Sequence, residues 1–273
     1  MFWTRFASSV ILVIIALLTL ILGGPLLAGV MFAISVVGYL ELCRATGVHA
    51  KGQKISGLEM VGVLGIAAYY AVLYFTESEL LLLIPVIGVF MGGMCVYVLT
   101  FPKYRAEQVM ANFFNFVYAP VMLSFIYMTR ELHYGIYIVW LILISSWGCD
   151  TCAYLVGICI GKKKIFPVLS PKKSLEGCIG GVVGAGLIGA AYGYFIVESA
   201  VVDQTITLLV AFICMVGAVM SQIGDLAASA IKRNHDIKDY GKLIPGHGGI
   251  MDRFDSVIVT APMIFFLTVL LIK

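Results

Sequence analysis

The run from Ser229 to Asp255 brings three kinds of chemistry into 27 residues of an otherwise apolar chain. Lys232, Arg233, Lys238 and Arg253 are cations suited to phosphates, and Asp239, Asp252 and Asp255 are carboxylates. Gly246, Gly248 and Gly249 surround His247 in a bend whose backbone N–H groups can approach an anion closely. Phosphoryl transfer needs this set, because charge must be neutralised while the reacting groups are held in line. Asp252 and Asp255 are three apart, so they share one face of a helix that starts there. Hard oxygen ligands suit Mg²⁺, which takes one or two carboxylates and fills its shell with water and substrate phosphate. Helix N-capping is the competing account of either aspartate, and a plain interhelical turn is the competing account of the glycines. His247 is read as a phosphate contact or as an acid or base.

Asp150 and Asp225 lie within apolar stretches. A carboxylate inside a membrane span is costly unless it is paired, metal-bound or facing water. Both stretches lead into basic loops, so the two are expected to open on one cavity, with Asp225 and Asp252 clamping an ion between them. For Asp150 a structural role, bonded to a neighbouring Ser or Tyr, is the alternative. The segment Ser170-Pro-Lys-Lys-Ser-Leu-Glu-Gly177 sets Lys172, Lys173 and Ser174 just before a helix N-terminus, which suits a polyphosphate. A simple cluster of topology-setting lysines competes with that reading. Gly157 to Gly161 followed by Lys162 fails as a nucleotide loop, since the glycines are too close and no Ser or Thr follows the lysine. Cys149-Asp-Thr-Cys152 has redox spacing but lies in a helix, so packing explains it better, and no disulfide framework is implied.

These residues must be held by membrane helices. The chain has 273 residues, 61% hydrophobic and 12% charged, about half the charge of an average soluble domain. Stretches long enough to cross a bilayer fall at about 6–22, 25–42, 56–75, 79–100, 109–128, 135–158, 176–197, 205–228 and 255–272. The fold class is therefore an all-α integral membrane protein, a polytopic bundle of about nine transmembrane helices without a separate soluble domain. The first span is read as a retained helix rather than a signal peptide, because an equally apolar span follows Gly23-Gly24-Pro25 directly. With nine spans, 16 of the 18 basic residues fall on the side of the N-terminus and the even-to-odd loops, which is then cytoplasmic.

Residues 1–130 read as N-terminal scaffold and residues 131–273 as the catalytic region. Glu41 and Glu59, near span ends, are expected to be solvated or to snorkel. Gly177, Gly181, Ala185, Gly189 and Gly193, each four apart, allow close helix approach within the bundle or at a homodimer interface.

On these motifs the chain resembles the phosphatidate cytidylyltransferases (CDP-diacylglycerol synthases). The resemblance runs without a gap from Ser229 to Asp255 and is supported by Asp150-Thr-Cys-Ala-Tyr154, Ser170 to Gly177 and Ser221-Gln-Ile-Gly-Asp225-Leu. It covers about residues 145–258, while the N-terminal half agrees only in being multi-spanning. It implies transfer of the cytidylyl group of CTP to phosphatidic acid, with Mg²⁺ and room for a second cation, in the cytoplasmic membrane and with no nucleic-acid partner. It implies that Asp225, Asp252 and Asp255 are metal carboxylates, and that Lys172, Lys173, Lys232, Arg233 and Arg253 are phosphate contacts. Ser174, Lys238, Asp239, Gly248, Gly249 and Asp150 are expected on the substrate side and His247 among the catalytic groups. One departure is Ala228, where the family commonly has Glu. The alternative from another class is a transporter or channel that uses the lysines to select an anionic solute.

Overall fold

A computed structural model describes residues 13–49, 55–76, 78–200, 206–244 and 248–272. The described chain is helical, with no β-strand and only two isolated bridges, Lys164 with Ser174 and Ile244 with Gly248. The helices are α1 (Val13–Leu22), α2 (Gly24–Ala45), α3 (Gly57–Phe75), α4 (Leu80–Leu99), α5 (Ala106–Glu131), α6 (Gly135–Ile160), α7 (Leu175–Ala200), α8 (Thr207–Asn234) and α9 (Met251–Leu271). The last eight are long and apolar enough to cross a membrane. The first is the described part of the expected 6–22 span, whose residues 6–12 lie outside the described residues. The observed helices thus follow the expected spans closely, since a bilayer fixes both the length and the polarity of what can cross it.

Local chemistry sets several of the breaks. Gly23 and Gly24 have φ of 63° and 52°, a region glycine enters without a Cβ penalty. Pro25 then sits in the first turn of α2, where its missing N–H costs nothing. Helix α3 starts with a capping box: Ser56 Oγ accepts the Glu59 N–H, and Glu59 accepts the Ser56 N–H. Inside α5, α6 and α7 one turn each widens to a π-turn, at Val117–Val121, Ile144–Gly148 and Gly193–Val197. The first contains Pro120, and a widened turn accommodates a residue that has no N–H to donate.

The chain packs as two compact units. The first comprises residues 1–124 and 234–253. In its core Tyr39 is fully buried and donates its hydroxyl to Asn112 Oδ1. Glu41 and Glu59 are 3% and 1% exposed, which overturns the expectation that they are solvated or snorkelling. Glu59 is held by its capping box and by His49, 3.0 Å away, whereas Glu41 serves the loop described below.

The second unit comprises residues 125–233 and 254–273. Here the small-residue stripe of α7 works within the bundle. A Cβ on Gly177 would come within 2.8 Å of the Ala153 carbonyl, and one on Gly181 within 2.9 Å of Cys149. Gly189, further along α7, faces Cys214 of α8. The stripe therefore lets α6 approach one half of α7 and α8 the other. Large apolar side chains stay exposed along the long helices, for example Leu80, Ile87, Leu187 and Leu208, as expected where the surrounding solvent is hydrocarbon.

Candidate active site

In the second unit, α6, the 161–174 loop and the starts of α7 and α8's polar half enclose a cleft of about 610 Å³. Asp150, Tyr154, Lys164, Lys172, Lys173 and Gln222 are among its lining residues. The loop is built by its own backbone. Glu176 accepts the N–H groups of Lys162 and Lys163, Lys164 Nζ donates to the Lys172 carbonyl at 3.0 Å, and Leu175 N–H donates to the Lys163 carbonyl. Ser174 Oγ accepts the Gly177 N–H and so caps α7. The net effect is to turn Lys173 inward, where its Nζ meets Asp225 Oδ2 at 2.5 Å as an ion pair.

That pair is the centre of a charged group inside membrane helices. Asp150 lies within electrostatic reach of Asp225 and Lys173. Asp255 lies within reach of Asp225, Lys232 and Asp150. Three carboxylates and two lysines from the 170–174 loop, α6, α8 and α9 are thus gathered in one unit. Gly224 makes this possible, because its Cα faces the Asp255 carbonyl so closely that a Cβ would stand 2.8 Å from it. Sequence reading missed Gln222. Its Nε2 donates to the Cys178 carbonyl at 2.9 Å and contacts Cys149 Sγ at 3.3 Å, tying α8 to α7 and α6 one turn before Asp225. Its place in Ser221-Gln-Ile-Gly-Asp225 was the available signal.

Most of the remaining expected residues fall in the first unit. Lys238 and Asp239 are exposed in the loop between α8 and α9, and Arg253 is exposed on the first turn of α9. Gly248 has φ of 85° and returns the chain so that the Ile244 N–H donates to its carbonyl. Asp252 Oδ2 accepts two N–H groups, from Tyr240 and Gly249, each at 2.9 Å. The Glu41 carboxylate, arriving from α2, accepts the N–H groups of Ile250 at 3.1 Å and Met251 at 2.9 Å. His247 lies outside the described residues. Lys232 and Arg233 end α8 in the second unit.

Among the described residues no three or more Asp, Glu, His or Cys side chains form a group able to hold one metal ion. A pair of carboxylates still meets the needs of Mg²⁺, which leaves most of its shell to water and phosphate. Asp225 and Asp255, within electrostatic reach of each other, are the two carboxylates of this unit that could hold such an ion. Cys149 and Cys152 are free thiols, like the other five cysteines, so activity is expected to be unchanged by dithiothreitol. Loss of activity on reduction, read in the same assay with and without reductant, would contradict that packing role.

Residues 3–271 match the family model described as the cytidylyltransferase family. The phosphatidate cytidylyltransferase of Bacillus subtilis (strain 168) is 39% identical over 137 residues, covering 50% of this chain and 49% of that protein. The phosphatidate cytidylyltransferase of Staphylococcus aureus (strain COL) is 37% identical over 155 residues, 56% of each chain. That of Staphylococcus haemolyticus is 35% identical over 155 residues, again 56% of each. The chain spans about half the length of the curated relatives it matches.

Proposed function

The chain belongs to the cytidylyltransferase family, and from that premise we propose that it transfers the cytidylyl group of CTP to phosphatidic acid. A phosphate oxygen of phosphatidic acid bonds to the α-phosphorus of CTP, the α–β phosphoanhydride bond breaks, and pyrophosphate leaves with CDP-diacylglycerol as the other product. The nucleophile is already an anion, so little proton transfer is required. Catalysis then rests on positioning and on neutralising charge as the pyrophosphate departs. The observation that carries this reading is the Lys173–Asp225 pair, set beside Asp150 within membrane helices at the cleft. Charge set into membrane helices is expensive and is retained where it acts.

In this reading Lys173 exchanges Asp225 for the leaving pyrophosphate, with Lys172 and Lys232 as further phosphate contacts. Asp225 and Asp255 would hold Mg²⁺, which supplies Lewis-acid stabilisation of the phosphate oxygens when bound. Asp252 holds the backbone at Tyr240 and at Gly249 through the two N–H groups it accepts. The basic loops face the cytoplasm, which delivers CTP, while the bilayer delivers phosphatidic acid. Purified protein in detergent, given phosphatidic acid and each of CTP, dCTP, UTP and ATP, is expected to form nucleotidyl-lipid with the cytidine nucleotides. Equal use of all four, or no lipid product, would overturn the proposal.

A further inference from the structure

Helix α9 begins without a local cap. The residue before its first turn is Ile250, whose side chain has no acceptor, although helix starts usually use Ser, Thr, Asp or Asn there. The acceptors come instead from Glu41, 209 and 210 positions earlier in the sequence, which takes one N–H on each carboxylate oxygen. The surrounding backbone is fitted to that carboxylate. A Cβ on Gly241 would overlap Glu41 Oε1 and stand 3.1 Å from the Gly249 Cα, and a Cβ on Gly249 would overlap both Glu41 oxygens. Gly241 and Gly249 therefore both close on one buried side chain, and all these residues belong to the first unit. An ordinary cap would satisfy the two amides. It would not set the separation of the two glycines.

We infer that Glu41 is a positioning residue for the transferase reaction: it fixes the 248–251 backbone, and through it Asp252 and Arg253, which the reaction needs held in place. The inference rests on the transfer reaction proposed above. It also gives a role in the reaction to a residue in the N-terminal half of the chain.

The test compares wild type, Glu41→Gln and Glu41→Asp in detergent. Gln keeps the shape but replaces one acceptor oxygen by a donor, and Asp keeps the charge but is one carbon shorter. Both are expected to raise KM for CTP roughly 10- to 100-fold, as misplacement of about 1 Å does, while KM for phosphatidic acid stays unchanged. Hydrogen exchange read by mass spectrometry is expected to quicken at the 249–252 amides and to stay unchanged in the middle of α9. Protection at 249–252 equal to wild type, or equal rises in both KM values, would overturn the inference. The exchange measurement does not depend on the reaction, and wild-type CDP-lipid formation tests the reaction separately.

Discussion

Asp225→Asn is expected to lower the rate of CDP-lipid formation about a hundred- to a thousand-fold, the range seen when one preorganised charge or donor is lost from an active site. The isosteric amide keeps the volume of the side chain but removes the charge that Lys173 meets at 2.5 Å. It also takes one of the two carboxylates proposed to hold Mg²⁺, and leaves the lysine without its counterion. Since the pair is partly exposed, at 22% and 28% of the two side chains, the variant should still fold and insert. Size-exclusion in detergent checks that point. Asp236→Asn is the matched control, because Asp236 is exposed with φ of 53°, a conformation that asparagine also tolerates. That control should keep activity within about twofold, the usual span of a surface substitution. Asp225→Asn activity within tenfold of wild type would remove Asp225 from the reaction.

Gly224→Ala should damage fold and activity together. The added methyl would stand 2.8 Å from the Asp255 carbonyl and 3.1 Å from Val259, so α8 and α9 must part. Overpacking of this sort costs about 1–3 kcal/mol, and a melting temperature lower by several degrees is the expected readout. Because the same approach sets Asp225 against Asp255, activity should fall about a hundred-fold at temperatures where the protein is still folded. Gly88→Ala, with open space where its Cβ would go, should match wild type in both. Wild-type melting and rate for Gly224→Ala would mean that the helices do not need this contact.

The spans were legible because a membrane leaves little choice. Each needs a long apolar run, and the breaks at Gly23-Gly24-Pro25 and at the Ser56 to Glu59 capping box are written locally. Asp150, Asp225 and Asp255 also stand out in the sequence, since charge is conspicuous against an apolar background, and the fold brings them within electrostatic reach of one another. Glu41 was misread for the same reason. A carboxylate near a span end has a ready default in water, and its true donors lie 209 and 210 residues away. No periodicity or spacing links them. Gln222 was passed over because neutral amides do not stand out, yet its two contacts fix the helix that carries Asp225. The π-turns were invisible as well, because a single widened turn leaves hydropathy unchanged.

The reach of Glu41 has a consequence for the life of the nascent chain. Helix α2 is synthesised long before Ile250 and Met251, so the carboxylate must wait for the amides that will satisfy it. A chain that stops before Ile250 lacks both of those donors, and hydrogen bonds to a charged group contribute about 1.5–3 kcal/mol each. Differences of that size change cellular abundance several-fold through chaperones and proteases. One early residue therefore ties the stability of α2 to completion of the chain some 200 residues later.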